Sequence, residues 1–315
     1  MPKIACLNAD LDGLAHYAAI HGLSPAVLDP AGADAVARLA PLRLSELFAA
    51  ASICGTFFAV GEDVPASSSA AAALRRAALA GHEIGNHTRS HPYDLVRLSP
   101  SRIQAEVEGG AAAIAEATGK RPVGFRAPGY TLSATVLRSV VESGHAYDSS
   151  VFPALPYYLG KAAVMALRGL SGRPSRAILD RPRALLAPTG PYRPAAGEPY
   201  ARGRLPLWEL PITVEPWTRF PFIGTFLTTL PWPAVDALWK RVRHLPFLNV
   251  ELHGIDVMDA SDGVGPALAA AQRDLALPAG RKIERLTLLA KRLASEFEVV
   301  TLGQAAARFS AAGVL

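Results

Sequence analysis

His87-Thr88-Arg89-Ser90-His91 sets two imidazoles four positions apart, and on a helical turn that spacing brings both rings to one face, close enough to grip one cation. Imidazole binds a divalent metal only in its neutral form, and two rings cannot complete a coordination sphere. A third donor, usually a carboxylate, has to come from elsewhere in the fold. The N-terminus offers two. The apolar run Pro2-Lys3-Ile4-Ala5-Cys6-Leu7 reads as a short strand and leads straight into Asn8-Ala9-Asp10-Leu11-Asp12-Gly13. Both carboxylates then stand at a strand's C-terminal end.

Other segments along the chain repeat this arrangement. Thr56-Phe57-Phe58-Ala59-Val60-Gly61 is a second buried strand ending in glycine, and Gly124-Phe125-Arg126-Ala127-Pro128-Gly129-Tyr130 follows a third. Ala146-Tyr147-Asp148-Ser149-Ser150-Val151-Phe152-Pro153 follows a fourth, and Asn249-Val250-Glu251-Leu252-His253-Gly254-Ile255-Asp256 places one more histidine at a strand end. In this order the motifs resemble the polysaccharide deacetylase family, also called the NodB-homology or carbohydrate esterase 4 family, in an Asp-x-Asp branch. The resemblance runs from about residue 3 to residue 309.

The resemblance implies roles for these residues. Asp12, His87 and His91 would hold one divalent metal ion, zinc first, with iron, cobalt, nickel or manganese as alternatives. Asp10 would be the base that activates water. The common pattern has adjacent aspartates, whereas Leu11 intervenes here. Arg126, in Arg-Ala-Pro-Gly-Tyr, resembles the family arginine that keeps the base ionised and oriented. Pro128 and Tyr130 would line the groove, the aromatic being displaced by one position. His253, in Leu-His-Gly-Ile-Asp, matches the family histidine that protonates the leaving nitrogen. Asp148 or Asp256 would orient it, and the residues do not choose between them. His16, His21, His82, His145 and His244 lack such context and read as bystanders, with His16 and Tyr17 at the rim.

These residues need a scaffold that gathers strand ends. Coarse patterning gives strand 3–9, a loop with helical patches to about 50, strand 52–60, helix 68–80, strand 82–86 and helix 99–118, capped by Ser99, opened by Pro100 and closed by Gly119. Strand 122–126, helix 133–143 and strand 146–149 continue the rhythm. Later come a strand from Leu207, a strand near 247–252, helix 281–296 with Lys282, Arg285, Lys291 and Arg292 as a solvated face, and strand 297–301. Repeated βα units with short loops predict a parallel sheet, and closing it puts every C-terminal strand end on one side. The resemblance adds that the α/β fold is a distorted (β/α) barrel of about seven parallel strands. The stretch 154–207, rich in Pro, Gly and Arg, breaks the rhythm and reads as an insertion over the barrel mouth of a single catalytic domain, 1–315.

Composition agrees with a globular enzyme. Of 315 residues, 50% are hydrophobic and 19% charged, with no repeat and no disorder signature. Cys6 and Cys54 lie in apolar runs, as small core residues in a reducing compartment. The first motif begins at residue 3 with no cleavable leader before it, which predicts the cytoplasm. The net charge of +5 is spread along the chain, with modest clustering at Arg168, Arg173, Arg176, Arg181 and Arg183. No interleaved aromatic and basic signature points to nucleic acid, whereas peripheral contact with an anionic membrane surface fits.

The family removes acyl groups from amino sugars. A cytoplasmic member would meet a nucleotide-, lipid- or polyprenyl-linked N-acyl amino sugar, carrying acetyl or formyl, or another small N-acyl compound. Arg219 to Pro233 is an apolar, aromatic stretch too short and Pro-rich to span a bilayer. It reads equally as a buried helix and its turns or, with Leu155-Pro156-Tyr157-Tyr158-Leu159, as a platform for a lipid tail. The deformylases of the lipid A aminoarabinose pathway are a family precedent, similar in Asp-x-Asp and histidine spacing. Two competing readings remain: a non-haem iron site, disfavoured by the βα rhythm, and a non-catalytic sugar or lipid binder, disfavoured by the joint presence of Asp10, Arg126 and His253.

Overall fold

Seven consecutive residues with no exposed face, Ile4–Asp10, form the central strand β1. Its side chains alternate: Ala5, Leu7 and Ala9 enter the core beneath the helices, while Cys6 packs with Phe58, Tyr147 and Trp208, and Asn8 bonds Asn249. One face of the strand thus meets helices and the other lines a barrel interior. The computed structural model describes residues 2–28, 32–170 and 178–313.

Along the chain follow β2 (Thr56–Ala59), β3 (Glu83–Asn86), β4 (Gly124–Phe125), β5 (Tyr147–Asp148), a hairpin of β6 (Pro194–Ala195) and β7 (Glu198–Arg202), then β8 (Trp208–Glu209), β9 (Phe247–His253) and β10 (Glu298–Val299). Every pairing in the main sheet is parallel. Seven strands run in the order β9-β1-β2-β3-β4-β5-β8, and the short β10 joins β1 at Ile4 and Ala5. After β8 the chain closes most of the remaining gap, since Thr213 N–H donates to Asn249 O at 2.9 Å and Asn249 N–H to Thr213 Oγ1 at 2.7 Å. This is the distorted parallel barrel expected.

The surrounding helices are α1 (Leu14–Ile20), α2 (Ala35–Ala49), α3 (Ser69–Leu79), α4 (Pro100–Thr118), α5 (Ala134–Glu142), α6 (Leu155–Leu170), α7 (Gly224–Thr229), α8 (Trp232–Val242), α9 (Pro266–Ala271), α10 (Ala279–Glu296) and α11 (Leu302–Ala311). α4 begins and ends as its residues predict: the Ser99 hydroxyl accepts from Arg102 N–H, and Gly119 closes the helix at φ +78°.

The structure revises two expectations and decides a third. The segment read as a loop with helical patches to about 50 is more regular than that: it holds α1 and a 15-residue helix, α2, with Pro41 inside it. An internal proline costs roughly 3 kcal/mol, but Val36, Ala40, Leu44, Leu47 and Phe48 on the same helix are buried in the main core and outweigh it. The basic residues of α10 are not one solvated face. Lys282 is fully buried, its ammonium donating to Ile255 O at 2.7 Å and Asp274 O at 3.0 Å, and Arg292 pairs with Asp236 at 2.8 Å. Of the two readings of Arg219 to Pro233, the buried one fits better than the platform, since Phe222, Ile223 and Leu227 are buried. Between 154 and 207, the described residues form α6, a short 3-10 segment at Pro182–Leu186 and the β6–β7 hairpin; Arg173 and Arg176 lie outside the described residues. Among the described residues, no helix is long and apolar enough to cross a membrane.

Candidate active site

Registry between β1 and β9 is the first determinant of the site. The strands pair over seven residues, ending with Asp10 opposite His253, so the last inward side chains of two strands far apart in sequence lie together. Arg126, from the loop after β4, completes the group. Its guanidinium is fully buried, donates to Asp10 Oδ1 at 2.7 Å, to Ser149 O at 2.7 Å and to Ser149 Oγ at 2.8 Å, and stacks 4.3 Å from the Phe58 ring centre. A planar fork with three fixed acceptors has little freedom, so Asp10 is held in one orientation.

Asp12, His87 and His91 converge beside it. Each offers one ligand atom, and the three atoms lie within 4.8 Å of one another. His87 Nε2 and His91 Nε2 approach Asp12 Oδ1 at 3.1 Å and 3.3 Å. The convergence does not come from a helical turn, as the four-residue spacing suggested. Residues 87–91 form a loop in which Thr88 and His91 take positive φ values of 69° and 56°. Local hydrogen bonds hold that conformation: Asn86 Oδ1 accepts from Thr88 N–H, Thr88 Oγ1 from His91 N–H, and Thr88 O from Gly61 N–H, each at 3.0 Å.

The donor chemistry of this set fits a cation. All three side chains are buried, yet Asp12 Oδ1 and both His91 nitrogens lack a hydrogen-bond partner. Native interiors rarely tolerate such orphans, and a metal ion would satisfy Asp12 Oδ1 and one of the two His91 nitrogens. His87 Nδ1 instead meets Arg126 O at 2.8 Å, which leaves its Nε2 lone pair for the shared centre. Burial works to raise Asp12, but His91 and His87 hold its carboxyl well below the ordinary range. Burial lowers His91 to about 4, against the pull of Asp12, so this ring is neutral and ligand-ready. At His87 burial is outweighed by Asp10 and Asp12, and its pKa rises. A metal would therefore compete with a proton there.

At His253 the structure answers the question of its orienting carboxylate with a residue the motifs did not single out. Neither the Asp148 nor the Asp256 carboxylate bonds the ring. Glu251, two residues earlier on β9 and fully buried, sets Oε1 2.8 Å from His253 Nδ1. Asp256 instead accepts from the His253 backbone N–H at 2.8 Å. Asp148 points into the barrel, bonded by Ser150 Oγ at 2.6 Å and facing Glu209 across the β5–β8 pair. The signal for Glu251 was the alternation Asn249, Glu251, His253 in an otherwise apolar strand, three polar side chains on one face.

Tyr130 is also closer to the chemistry than groove lining. Its hydroxyl lies 3.2 Å from both Glu251 Oε1 and His253 Nε2. Pro128 opens the buried turn Pro128–Tyr130 that carries it. Burial alone would lower His253, but Glu251 raises its pKa well above the ordinary value, and in return Glu251 is lowered. Burial raises Asp10 although Arg126 opposes it. Asp10, Glu251 and His253 also lie within 4.8 Å of one another, but Arg126 and the imidazole already compensate these carboxylates.

The rim is aromatic. The His16 ring sits 4.3 Å from that of His91, its Nε2 3.7 Å from Asp63 Oδ2, and the Tyr17 and Tyr93 hydroxyls are buried without hydrogen-bond partners. Of the remaining histidines, His82 accepts from Gly55 N–H at 3.0 Å and His145 contacts Asn86, both remote from Asp12.

Residues 41–147 match the family model for polysaccharide deacetylase, a span that contains His87, His91 and Arg126 but neither Asp10, Asp12 nor His253. No curated protein matches the sequence. Among solved structures, a provisionally named polysaccharide deacetylase from Mycobacterium smegmatis superposes with a TM-score of 0.58 at 19% identity, over 100% of this chain and 93% of that one. A carbohydrate esterase family 4 pseudoenzyme from Bacillus anthracis gives 0.48 at 13% identity, over 97% and 66% of the two chains. A family 4 carbohydrate esterase from Streptomyces lividans, in complex with acetate, gives 0.42 at 13%, over 93% and 88%. The family likeness read from the motifs agrees with these findings: residues 41–147 match the polysaccharide deacetylase model, and the barrel has the fold of the Mycobacterium smegmatis structure.

Proposed function

We propose that this chain is a metal-dependent hydrolase that removes an acetyl or formyl group from the nitrogen of an amino sugar. The observation that carries this reading is the convergence of Asp12, His87 and His91, with Asp12 Oδ1 and both His91 nitrogens unpartnered, beside an ion-paired carboxylate and an ion-paired imidazole. A divalent cation held by those three side chains, zinc first and iron, cobalt, nickel or manganese as alternatives, would supply Lewis acidity toward the acyl oxygen and a water of lowered pKa.

The remaining work falls to the chain's own residues. Asp10 takes the proton of the attacking water, a task favoured by a carboxyl that burial has raised. Arg126 fixes the carboxylate's direction through the 2.7 Å contact. His253, kept charged by Glu251, gives its proton to the departing amine nitrogen, so the amide C–N bond breaks to leave a carboxylate and a free amine. Tyr130 steadies the ring through its hydroxyl.

The stretch 154–207 is read as an insertion over the mouth, supported by Tyr157 packing 6.1 Å from Tyr130 and Lys161 bonding Gly129 O at 3.3 Å. The apolar side chains that α6 exposes, Leu155, Leu159, Val164 and Leu167, favour a lipid- or polyprenyl-linked substrate met at an anionic membrane surface. Two unpaired thiols, Cys6 and Cys54, favour a reducing compartment, the cytoplasm.

The test is amine release from N-acetylated and N-formylated amino sugars, with and without chelator, for wild type and for His87→Ala, Asp10→Asn and His253→Ala. Turnover abolished by chelator and by each replacement supports the mechanism. Activity surviving all three replacements defeats it, and sugar binding without any amine release points to a non-catalytic member.

A further inference from the structure

Beneath the mouth, the barrel interior holds a second pair of carboxyls that the proposed chemistry does not use. Asp148 and Glu209 stand opposite each other in the β5–β8 pairing, and both are fully buried. Each commits one oxygen to a fixed donor: Asp148 Oδ1 accepts from the Ser150 hydroxyl at 2.6 Å, and Glu209 Oε1 from Val151 N–H at 3.0 Å. Among the described residues no other group donates to Asp148 Oδ2 or Glu209 Oε2, and the two carboxyls lie within hydrogen-bonding reach of each other.

Two bare carboxylates do not rest in that arrangement, because like charges in contact repel and burial removes the water that would screen them. One proton held between Oδ2 and Oε2 makes one oxygen a donor and the other its acceptor, and leaves the pair a single negative charge. Burial raises both groups, and Asp148 lifts Glu209 further, which marks Glu209 as the donor. The Arg126 charge opposes both rises, but its guanidinium donates to Asp10 and Ser149 rather than to either member of the pair.

The pair reaches the site through the segment that follows Asp148. Ser150 Oγ, which donates to Asp148, accepts from Ala127 N–H at 2.7 Å, so the residue after Arg126 hangs from the pair through one hydroxyl. Val151 is held by Glu209. Between these anchors Ser149 receives the guanidinium at its carbonyl and its hydroxyl, at 2.7 and 2.8 Å, and Arg126 in turn holds Asp10 at 2.7 Å. A side chain that must point in one direction needs its own supports fixed, and here the supports end at the two carboxyls.

We propose that Asp148 and Glu209 share one proton and act together as a positioning device, setting residues 148–151 so that Arg126 directs Asp10 at the attacking water. The kinetic consequences rest on the hydrolase reading; the shared proton is read without turnover.

Difference infrared spectroscopy of the whole chain at neutral pH reads the proton. Subtracting Glu209→Gln or Asp148→Asn from wild type should in each case reveal one lost protonated-carboxyl stretch, because the amide supplies the donor and the remaining carboxyl ionises. Spectra without that loss overturn the proposal. Kinetics reads the positioning. Glu209→Gln, whose amide N–H takes the proton's place, should keep kcat within about threefold of wild type. Glu209→Leu should lower kcat by about ten- to a hundredfold with KM and bound metal little changed, the cost of a slightly misplaced catalytic group. Ser150→Ala, which cuts the link to Ala127, should lower kcat in the same way while keeping the infrared band. Wild-type kcat in folded Glu209→Leu and Ser150→Ala proteins overturns the positioning role, and a Glu209→Gln enzyme as slow as Glu209→Leu overturns the shared proton. Amine release by no form, wild type included, sinks the hydrolase reading instead. The Arg126 Nε–H resonance of isotope-labelled protein then decides: displaced in Glu209→Leu and Ser150→Ala but not in Glu209→Gln if the pair positions the arginine, unmoved in all three if it does not.

Discussion

Asp12 and Asp10 stand two residues apart at the end of one strand, both almost wholly buried, and yet their carboxyls are driven in opposite directions. Asp12 faces two imidazoles and is held well below the usual range, whereas burial lifts Asp10 even with a guanidinium 2.7 Å away. The difference extends to their surroundings. Around Asp12 the three ligand atoms face one another, and Asp12 Oδ1 and His91 Nε2 have no hydrogen-bond partner. Around Asp10 each charge already has an internal partner: Arg126 for Asp10, His253 for Glu251. Equal burial therefore yields opposite shifts, because the neighbours decide which way a buried carboxyl is driven.

That contrast is open to breakage at either end. The largest effect is expected at the cation end, where His87→Ala should reduce bound metal to background by elemental analysis and turnover by on the order of a thousandfold or more. Asp10→Asn should leave metal content intact and lower kcat by about a hundred- to ten-thousandfold, the range for losing a general base. If Asp10→Asn also emptied the metal, the two ends would not be separable.

Glu251→Gln sharpens the second end. Glu251 raises the pKa of His253, so removing its charge lets the imidazole lose its proton at lower pH. The alkaline limb of the kcat/KM profile should then move acidward by about a unit or more, with a roughly tenfold loss at neutral pH. A profile that keeps its limbs would make Glu251 a packing residue only.

The smallest effect lies deeper in the barrel, where Asp148 and Glu209 face each other on paired strands, buried away from solvent. Burial raises both, Glu209 well above its ordinary value with Asp148 adding to the rise. A raised folded-state pKa means stability fully present below the unfolded pKa and lost as pH rises through the folded one. Glu209→Gln keeps an acceptor for Val151 N–H, now at 3.0 Å, and removes the titration. Its stability advantage over wild type should grow as pH rises above the ordinary carboxylate range, read from denaturant melts at a series of pH values.

Much of the site was legible from the residues because barrel strands deliver their ends to one face, so a motif at a strand end is a motif at the mouth. Asp10, Asp12, His87, His91, Arg126 and His253 all arrive there. Less legible were features that depend on what lies opposite. The His87–His91 spacing suggested a helical turn, but Asn86 and Thr88 side chains bend the chain into a loop that converges the rings differently. Lys282 sits on an amphipathic helix whose pattern suggests solvent, and only the carbonyls of Ile255 and Asp274 explain its burial.

The order of chemical residues along the chain, and the alternation that turns them inward, were set by the sequence itself, since period two and strand ends are local properties. Which carboxylate meets which ring was decided only in the folded barrel. Asp10 lies against His253 because β1 and β9 register over seven residues, and Glu251 rather than Asp148 or Asp256 reaches the imidazole because it projects from the same face of the same strand. Partnership across the barrel is a matter of distances between segments far apart in the chain, which no local pattern records.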